Sequence, residues 1–119
     1  MQDFKSLKIW EKAHSLVLDL YKASASFPAG EAYGLTSQMR RAAASIPANI
    51  AEGCGRGGGA DLARFLQIAA GSASELEYHL LLAHDLGMLN SAVHEGINVR
   101  IKEVKRMLTT LIRKVRESS

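Results

Sequence analysis

Apolar residues in the second half of the chain recur at alternating steps of four and three positions. This spacing restricts the possible folds more than any other feature of the sequence. Between residues 61 and 86 the repeat begins with Leu62, Leu66 and Ala69, and between residues 91 and 117 isoleucine, valine and leucine continue it. Such spacing places an apolar stripe along a helix and is typical of nearly aligned helices in left-handed packing. We therefore expect long helices over 61–86 and 91–117.

Two further helices are predicted upstream, over residues 4–26 and 35–54. Asp3 is expected to cap the first, and Pro28 with Gly30 oppose its continuation. Its apolar face is predicted to contain Leu7, Trp10, Val17, Leu20 and Tyr21.

Pro47 stands inside the apolar pattern of the second helix, where it lacks an N–H group and clashes with the carbonyl of Ala43. The small side chains around it let a neighbouring helix approach closely. We therefore predict a kinked or interrupted helix packed against its neighbours. The alternative is that the freed Ala43 carbonyl is offered to a ligand or partner.

The third helix should be the most buried, since Phe65, Ile68, Leu81 and Leu82 widen its stripe, and Asp61 is expected to cap it. Four helices joined by short loops predict an all-α, antiparallel up-down-up-down four-helix bundle. The length fits a single domain, 1–119, with one core.

The amino-acid composition indicates the cellular compartment and the class of partner. The single cysteine, Cys54, excludes an internal disulfide, and no leader pattern or membrane-length apolar run occurs. We expect a soluble cytoplasmic protein with no membrane partner. The formal net charge of +3 permits a nucleic-acid partner without requiring one.

Charge is divided between the last two helices: residues 65–99 contain no lysine or arginine, whereas basic residues dominate from Arg100 onward. This division has three interpretations. In the first, the charged side chains only form solvated helix faces. In the second, an acidic face of one subunit meets a basic face of the next subunit in a head-to-tail ring. In the third, the basic face contacts phosphates. Few aromatic residues are available for base stacking, which favours backbone contact over base contact.

Arg40 and Arg41 are adjacent and cannot share a helix face. One is expected to face solvent and the other to pair with Glu52 or Glu75.

Catalytic patterns are weak. "GCGRGG" at 53–58 fits G-x-G-x-x-G but follows a predicted helix rather than a strand. The histidines lack the spacing of metal ligands, although Glu75 and His79 are one helical turn apart. Cys54, which stands beside glycines, is interpreted as an exposed thiol without a sequence-adjacent base. We predict no catalytic site, metal or cofactor; an enzyme using Cys54 or His79 is the least favoured class.

Two long motifs carry a family resemblance: "YGLTSQMRRAAASIPANIAEG" from residue 33 and "RFLQIAAGSASELEYHLLLAHDLG" from residue 64. The chain resembles the bacterial four-helix-bundle family first noticed in intervening sequences of the large-subunit ribosomal RNA. It is also similar to the accessory variability proteins of diversity-generating retroelements. The resemblance covers roughly residues 4–111. Between Arg56 and Arg64 the chain departs from the family pattern, because Gly57–Gly59 replace polar residues common in relatives.

The resemblance implies a bundle that assembles into a ring-like homo-oligomer, a homopentamer in characterised relatives. It also implies RNA and a reverse transcriptase as partners of retroelement relatives. The motif positions assigned to structure and assembly are Gly34, Leu35, Gln38, Ser45, Pro47, Asn49, Glu52, Gly53, Gly71, Ser72 and Glu75.

The favoured interpretation is a non-enzymatic ring protein whose basic surface binds RNA or a nucleic-acid enzyme. The alternative is a protein–protein scaffold with no nucleic-acid binding. The candidate nucleic-acid contacts are Arg40, Arg41, Arg56, Arg64, Lys102, Lys105, Arg106, Arg113, Lys114 and Arg116.

Overall fold

The computed structural model describes residues 3–31 and 34–118, so Tyr33, the first residue of the longer motif, lies outside the described residues. The four helices are α1 (Lys8–Ser24), α2 (Leu35–Gly55), α3 (Gly59–Asp85) and α4 (Ser91–Ser118). No strand occurs in residues 3–31 and 34–118, which confirms the predicted all-α class.

The first helix begins later than predicted. The Asp3 carboxylate accepts a hydrogen bond from the N–H of Lys5 at 3.0 Å, but it caps a single 3-10 turn, Phe4–Ser6, rather than α1. Leu7 is extended, with φ −83° and ψ 128°, and separates this turn from α1. The predicted capping of the long helix by Asp3 is therefore wrong, because the extended Leu7 interrupts the helical backbone.

The second helix is unbroken. Pro47 is buried, and the residues on both sides of it are helical from Leu35 to Gly55, so the predicted interruption does not occur. The side chain of Asn49 donates to the carbonyl of Ser45 at 2.8 Å, which supports the backbone beside the proline. This bond goes to Ser45 and does not replace the bond that the missing proline N–H would make to the Ala43 carbonyl. The bend itself stays a prediction.

The third helix begins at Gly59, two residues before the predicted start. Gly58 is its N-cap, with no side-chain cap, and the carbonyl of Gly58 accepts from the N–H of Leu62. Asp61 therefore lies in the first turn instead of capping it, and its carboxylate is 3.7 Å from Nε of Arg64. An acidic group still favours this end because of the helix dipole.

A glycine turn ends α3 and leads into α4. Gly87 has a φ of +78°, and the N–H of Met88 reaches the carbonyl of Ala83 at 2.9 Å. This 6→1 bond is the Schellman pattern of helix termination. Asn90 then accepts from the N–H of Val93 at 2.8 Å and caps α4.

All four helices contribute to one apolar core. Its largest fully buried side chains are Leu16, Leu20, Met39, Ile46, Ile50, Leu66, Leu76, Leu80, Ile101, Val104 and Leu108. Each helix packs against two others, namely α1 with α2 and α4, and α3 with α2 and α4. Helices α2 and α3 approach each other closely at Gly53, where an added Cβ atom would lie 3.0 Å from Leu62 Cδ1 and 3.0 Å from Phe65 Cβ.

Three predicted core positions lie on the surface instead. Tyr21 is 43% exposed, Ile68 42% and Leu81 47%. The buried residues of α1 include Ile9 and Ala13, because the side of α1 that contacts α2 and α4 is rotated about the helix axis from the predicted side. Helix α3 is thus apolar on its outer face as well as on its inner face.

Candidate nucleic-acid interface

Five exposed cations follow the outer surface of α4, and we call them the α4 basic face: Lys102, Arg106, Arg113, Lys114 and Arg116. Within residues 3–31 and 34–118 none of the five forms an ion pair with a carboxylate. Glu117 lines the same recess of about 420 Å³ as Arg113 and Arg116 and partly offsets their charge. All five cations lie on the exposed side of one helix; Arg113 and Arg116 line the recess beside α3, and Arg106 and Lys114 line a groove beside α1.

Other charges of α4 serve the packing between helices. Nζ of Lys105 donates to Oε1 of Glu77 on α3 at 2.8 Å, and Nη1 of Arg100 donates to Oδ2 of Asp19 on α1 at 2.5 Å. Glu103 pairs with Lys12 of α1 at 3.3 Å. Lys105, a predicted nucleic-acid contact, therefore already forms an ion pair with a carboxylate on α3. A phosphate would have to displace that carboxylate to bind there.

Arg40 is engaged within the fold rather than free for a partner. Its Nε donates to Oγ of Ser24 at 2.8 Å and its Nη2 donates to the carbonyl of Tyr21 at 3.1 Å. The guanidinium carbon also lies 4.5 Å from the centre of the Tyr21 ring. A cation on the last turn of α1 satisfies carbonyls that have no helical partner. Arg40 thus fastens α2 to the end of α1.

The predicted pairing of an arginine with Glu52 or Glu75 is wrong for Arg40. Oε2 of Glu52 lies 3.6 Å from Nε of Arg56, the residue that follows α2, and Oε2 of Glu75 lies 3.7 Å from Nε2 of His79, one turn further along α3. Local helix neighbours take both carboxylates, since residues four apart share a face. Arg41 is exposed on α2, as expected for one member of the arginine pair.

Arg56 and Arg64 form a small basic site around Phe65. Their guanidinium carbons lie 5.0 Å and 4.5 Å from the centre of the Phe65 ring, so each contacts the aromatic face or edge. Glu52 and Asp61 sit near the two arginines and reduce the positive charge. Because Phe65 is buried, it offers no platform for stacking a base.

Cys54 is 2% exposed, so the predicted exposed thiol is wrong. Burial raises the pKa of the Cys54 thiol, and the nearby carboxylate of Asp3 raises it further. Both effects disfavour the thiolate, which is the nucleophilic form. The physical cause is the packing of α2 against the core at its C-terminal end, which the neighbouring glycines do not reveal.

His79 is also buried, and its Nδ1 atom has no hydrogen-bond partner among the described residues. In the same part of the chain no three His, Cys, Asp or Glu side chains are arranged to hold a metal ion.

The motif residues divide into packing and surface positions. Oγ of Ser45 lies 2.9 Å from Oγ of Ser72, and the Asn49 amide also donates to Oγ of Ser45 at 2.9 Å. With Gly53, these groups define the α2–α3 contact. The motif positions at the protein surface are Gln38, Glu52, Gly71 and Glu75.

An apolar surface on α3 was missed by sequence reasoning. Ile68, Tyr78 and Leu81 are exposed by 42%, 59% and 47% on the outer side of α3, which also carries Gly71 and Glu75. We call these five residues the α3 outer face. Apolar side chains exposed together mark interaction sites. The sequence did contain a signal for this surface: the apolar stripe of α3 is wider than the stripe that a helix needs on the side packed against the core.

No helix in the described part of the chain has the length and apolar character needed to cross a membrane.

The fold and charge define a small all-α protein of four helices with a basic outer helix. The family model described as "23S rRNA-intervening sequence protein" matches residues 5–110, and the chain belongs to this family. No curated protein sequence matches the chain.

A solved structure has a similar fold. It is the 1.70 Å crystal structure of a protein of unknown function from the S23 ribosomal protein family of Bacteroides thetaiotaomicron. Its TM-score is 0.81 at 24% sequence identity, over 88% of this chain and 95% of that chain. This similarity concerns the fold alone.

Proposed function

We propose that this chain is a non-enzymatic, ring-forming, cytoplasmic protein that binds nucleic acid, RNA in particular, through the α4 basic face. The observation that carries the proposal is the set of five exposed cations without carboxylate partners among the described residues. Cations in such an array release counterions from a phosphate backbone when they bind it. A reverse transcriptase or another nucleic-acid enzyme would be recruited through the bound RNA or beside it.

The proposed subunit is an antiparallel up-down-up-down bundle. Contacts between α1 and α4 run in opposite order along the two helices, because Lys12 meets Glu103 whereas Asp19 meets Arg100. The contact of Arg40, early in α2, with Ser24, at the end of α1, agrees with an antiparallel α1–α2 pair. The short connections 56–58, between α2 and α3, and 86–90, between α3 and α4, favour the same arrangement.

The proposed ring uses the α3 outer face as one of its contact surfaces. Ile68, Tyr78 and Leu81 supply apolar area, and Gly71 allows a neighbouring backbone to approach, since nothing lies within 4 Å of the position of a Cβ atom there. A head-to-tail contact of this kind closes into a ring when its rotation allows. The family resemblance favours five subunits.

The ring is tested by light scattering coupled to size-exclusion chromatography. Tyr78→Glu places a charge on the α3 outer face and should reduce the measured mass to that of a monomer, because burying an unpaired carboxylate is costly. Leu18→Glu places the same charge on an apolar residue of α1, exposed by 51% and outside the α3 outer face; it is the control and should keep the wild-type mass. A wild-type protein that is already monomeric contradicts the ring.

The nucleic-acid function is tested by titrating structured RNA, single-stranded DNA and duplex DNA across a salt series. Arg113→Glu/Arg116→Glu should weaken RNA binding and flatten its salt dependence, by about one unit of slope for each lost phosphate contact. Lys5→Glu/Lys22→Glu makes the same change in net charge on exposed residues outside α4 and should bind RNA like the wild type. Equal loss in both variants would point to net charge instead of a defined face.

A protein–protein scaffold without nucleic-acid binding is the second candidate, and the α3 outer face favours it. It predicts an oligomer that Tyr78→Glu dissociates, with no RNA binding even at low salt. In that case the α4 basic face would meet acidic protein surfaces.

A further inference from the structure

A groove of about 530 Å³ lies between the start of α1 and the last turns of α4. Its apolar floor is formed by Leu7, Met107 and Leu111, which pack against the core but remain partly exposed. Its volume is within the range of protein binding sites, and apolar side chains at its base provide the favourable burial that binding needs.

The groove exists because α4 extends beyond the helix that covers it. Lys12 of α1 pairs with Glu103 of α4, and one turn earlier on α1 is Lys8, where the helix begins. Helix α4 continues from there for several turns to Ser118. The apolar stripe of α4 therefore continues past the region that α1 can bury, and Leu111 is left partly uncovered.

Three cations surround this floor: Lys8, Arg106 and Lys114. All three are exposed, and no carboxylate is among the side chains that line the groove. In the described ranges none of the three forms an ion pair. An occupant that combines apolar anchors with negative charge would complement both the floor and the rim.

We infer that the groove docks an acidic amphipathic helix of a partner protein. A helix can insert apolar residues spaced by three and four positions into the floor while its flanking carboxylates pair with the three cations. RNA would use the cations but gain nothing from Leu7, Met107 and Leu111, and no aromatic side chain lines the groove to stack a base. The inference therefore goes beyond the proposed RNA binding.

The test uses a fluorescein-labelled synthetic amphipathic helix of about 18 residues, with a leucine stripe flanked by glutamates, and fluorescence anisotropy at low salt. A second peptide carries lysine at each glutamate position. The wild-type protein should bind the acidic peptide and not the lysine peptide. Met107→Gln should weaken binding by about tenfold, which is the scale of losing one central contact. Lys114→Glu reverses a charge at the rim and should weaken binding several-fold.

Matched controls isolate the groove. Val99→Gln changes an exposed apolar residue of α4 outside the groove, and Lys22→Glu reverses an exposed charge on α1; both should bind the acidic peptide like the wild type. Thr110→Trp fills the groove from an exposed position and should also weaken binding, without removing any core side chain. Circular dichroism and the urea midpoint establish that each variant is folded.

The RNA titration separates this inference from the proposed function. Met107→Gln should leave salt-dependent RNA binding unchanged while it weakens peptide binding. Three results overturn the inference: no peptide binding by the wild type, equal binding of the lysine peptide, or peptide binding that Met107→Gln and Thr110→Trp leave intact. Each is compatible with retained RNA binding, so the two proposals fail separately.

Discussion

The hydroxyl groups of Ser45 on α2 and Ser72 on α3 lie 2.9 Å apart and join the two helices by a hydrogen bond. The Asn49 amide donates to the same Ser45 oxygen, which places the hydroxyl in a small network at the α2–α3 contact. Small polar residues here allow close packing and also satisfy each other's hydrogen-bonding groups.

Ser72→Ala should lower the free energy of unfolding by about 1 kcal/mol, since it removes one partner of this bond and leaves the Ser45 hydroxyl less satisfied. Urea denaturation of the purified protein measures the change. Ser74→Ala, an exposed position on the same helix, is the control and should change stability much less. Equal effects of the two substitutions would mean that the Ser45–Ser72 bond contributes nothing specific.

Gly53→Ala should destabilise the fold by about 1–3 kcal/mol, because the new Cβ atom overlaps a packed contact. The clash is with Cδ1 of Leu62 and Cβ of Phe65, each 3.0 Å away. Gly55→Ala tests the same chemical change at a nearby helical position where no atom lies within 4 Å. Thermal unfolding should separate the two variants clearly, and similar midpoints would refute the close α2–α3 approach.

Gly87→Ala should also destabilise the protein, by about 1 kcal/mol, because an L-residue is strained at a φ of +78°. No atom lies within 4 Å of the added methyl group, so any loss comes from the backbone alone. Gly87→Asn tolerates this conformation better and should recover part of the stability. Urea midpoints of the two variants, measured side by side, give the order expected for a left-handed turn: wild type, Asn, then Ala.

The buried Cys54 thiol makes stability depend on alkaline pH. Burial, and then Asp3, raises the pKa of Cys54 above its ordinary value of 9.0, so the unfolded chain loses this proton at lower pH than the folded protein. The free energy of unfolding should therefore be constant below the unfolded pKa and fall as pH rises through the folded pKa. Cys54→Ala removes this contribution.

Urea titrations at increasing pH measure the difference between the two proteins. The gap in stability between wild type and Cys54→Ala should narrow above about pH 9, where the unfolded thiol ionises. All other ionisable groups are common to the two proteins and cancel in the comparison. A gap that stays constant to high pH would contradict the raised pKa.

Helical periodicity predicted the number, class and approximate bounds of the helices. The 91–117 prediction lies within one residue of α4, and 35–54 lies within one residue of α2. The predicted helix starts at Asp3 and Asp61 were wrong for two different reasons. The extended Leu7 interrupts the helical backbone after Asp3, whereas α3 already begins at Gly59, before Asp61.

The candidate interface was predicted less completely. The exposed cations of α4 were identified from the charge distribution, but Lys105 and Arg40 proved to be committed to Glu77 and Ser24. These partners lie 28 and 16 residues away along the chain, so no local pattern reveals them. The buried state of Cys54 was missed for the same reason.

The sequence by itself determined the four helices, their apolar stripes, and the concentration of positive charge on the last one, because these properties depend on neighbours within a few residues. Only the tertiary structure decided which cations remain unpaired, which side of α3 is left apolar and exposed, and where α4 extends past α1 to form the groove. Those properties depend on the rotation and offset of packed helices, which are set by side chains far apart in the chain.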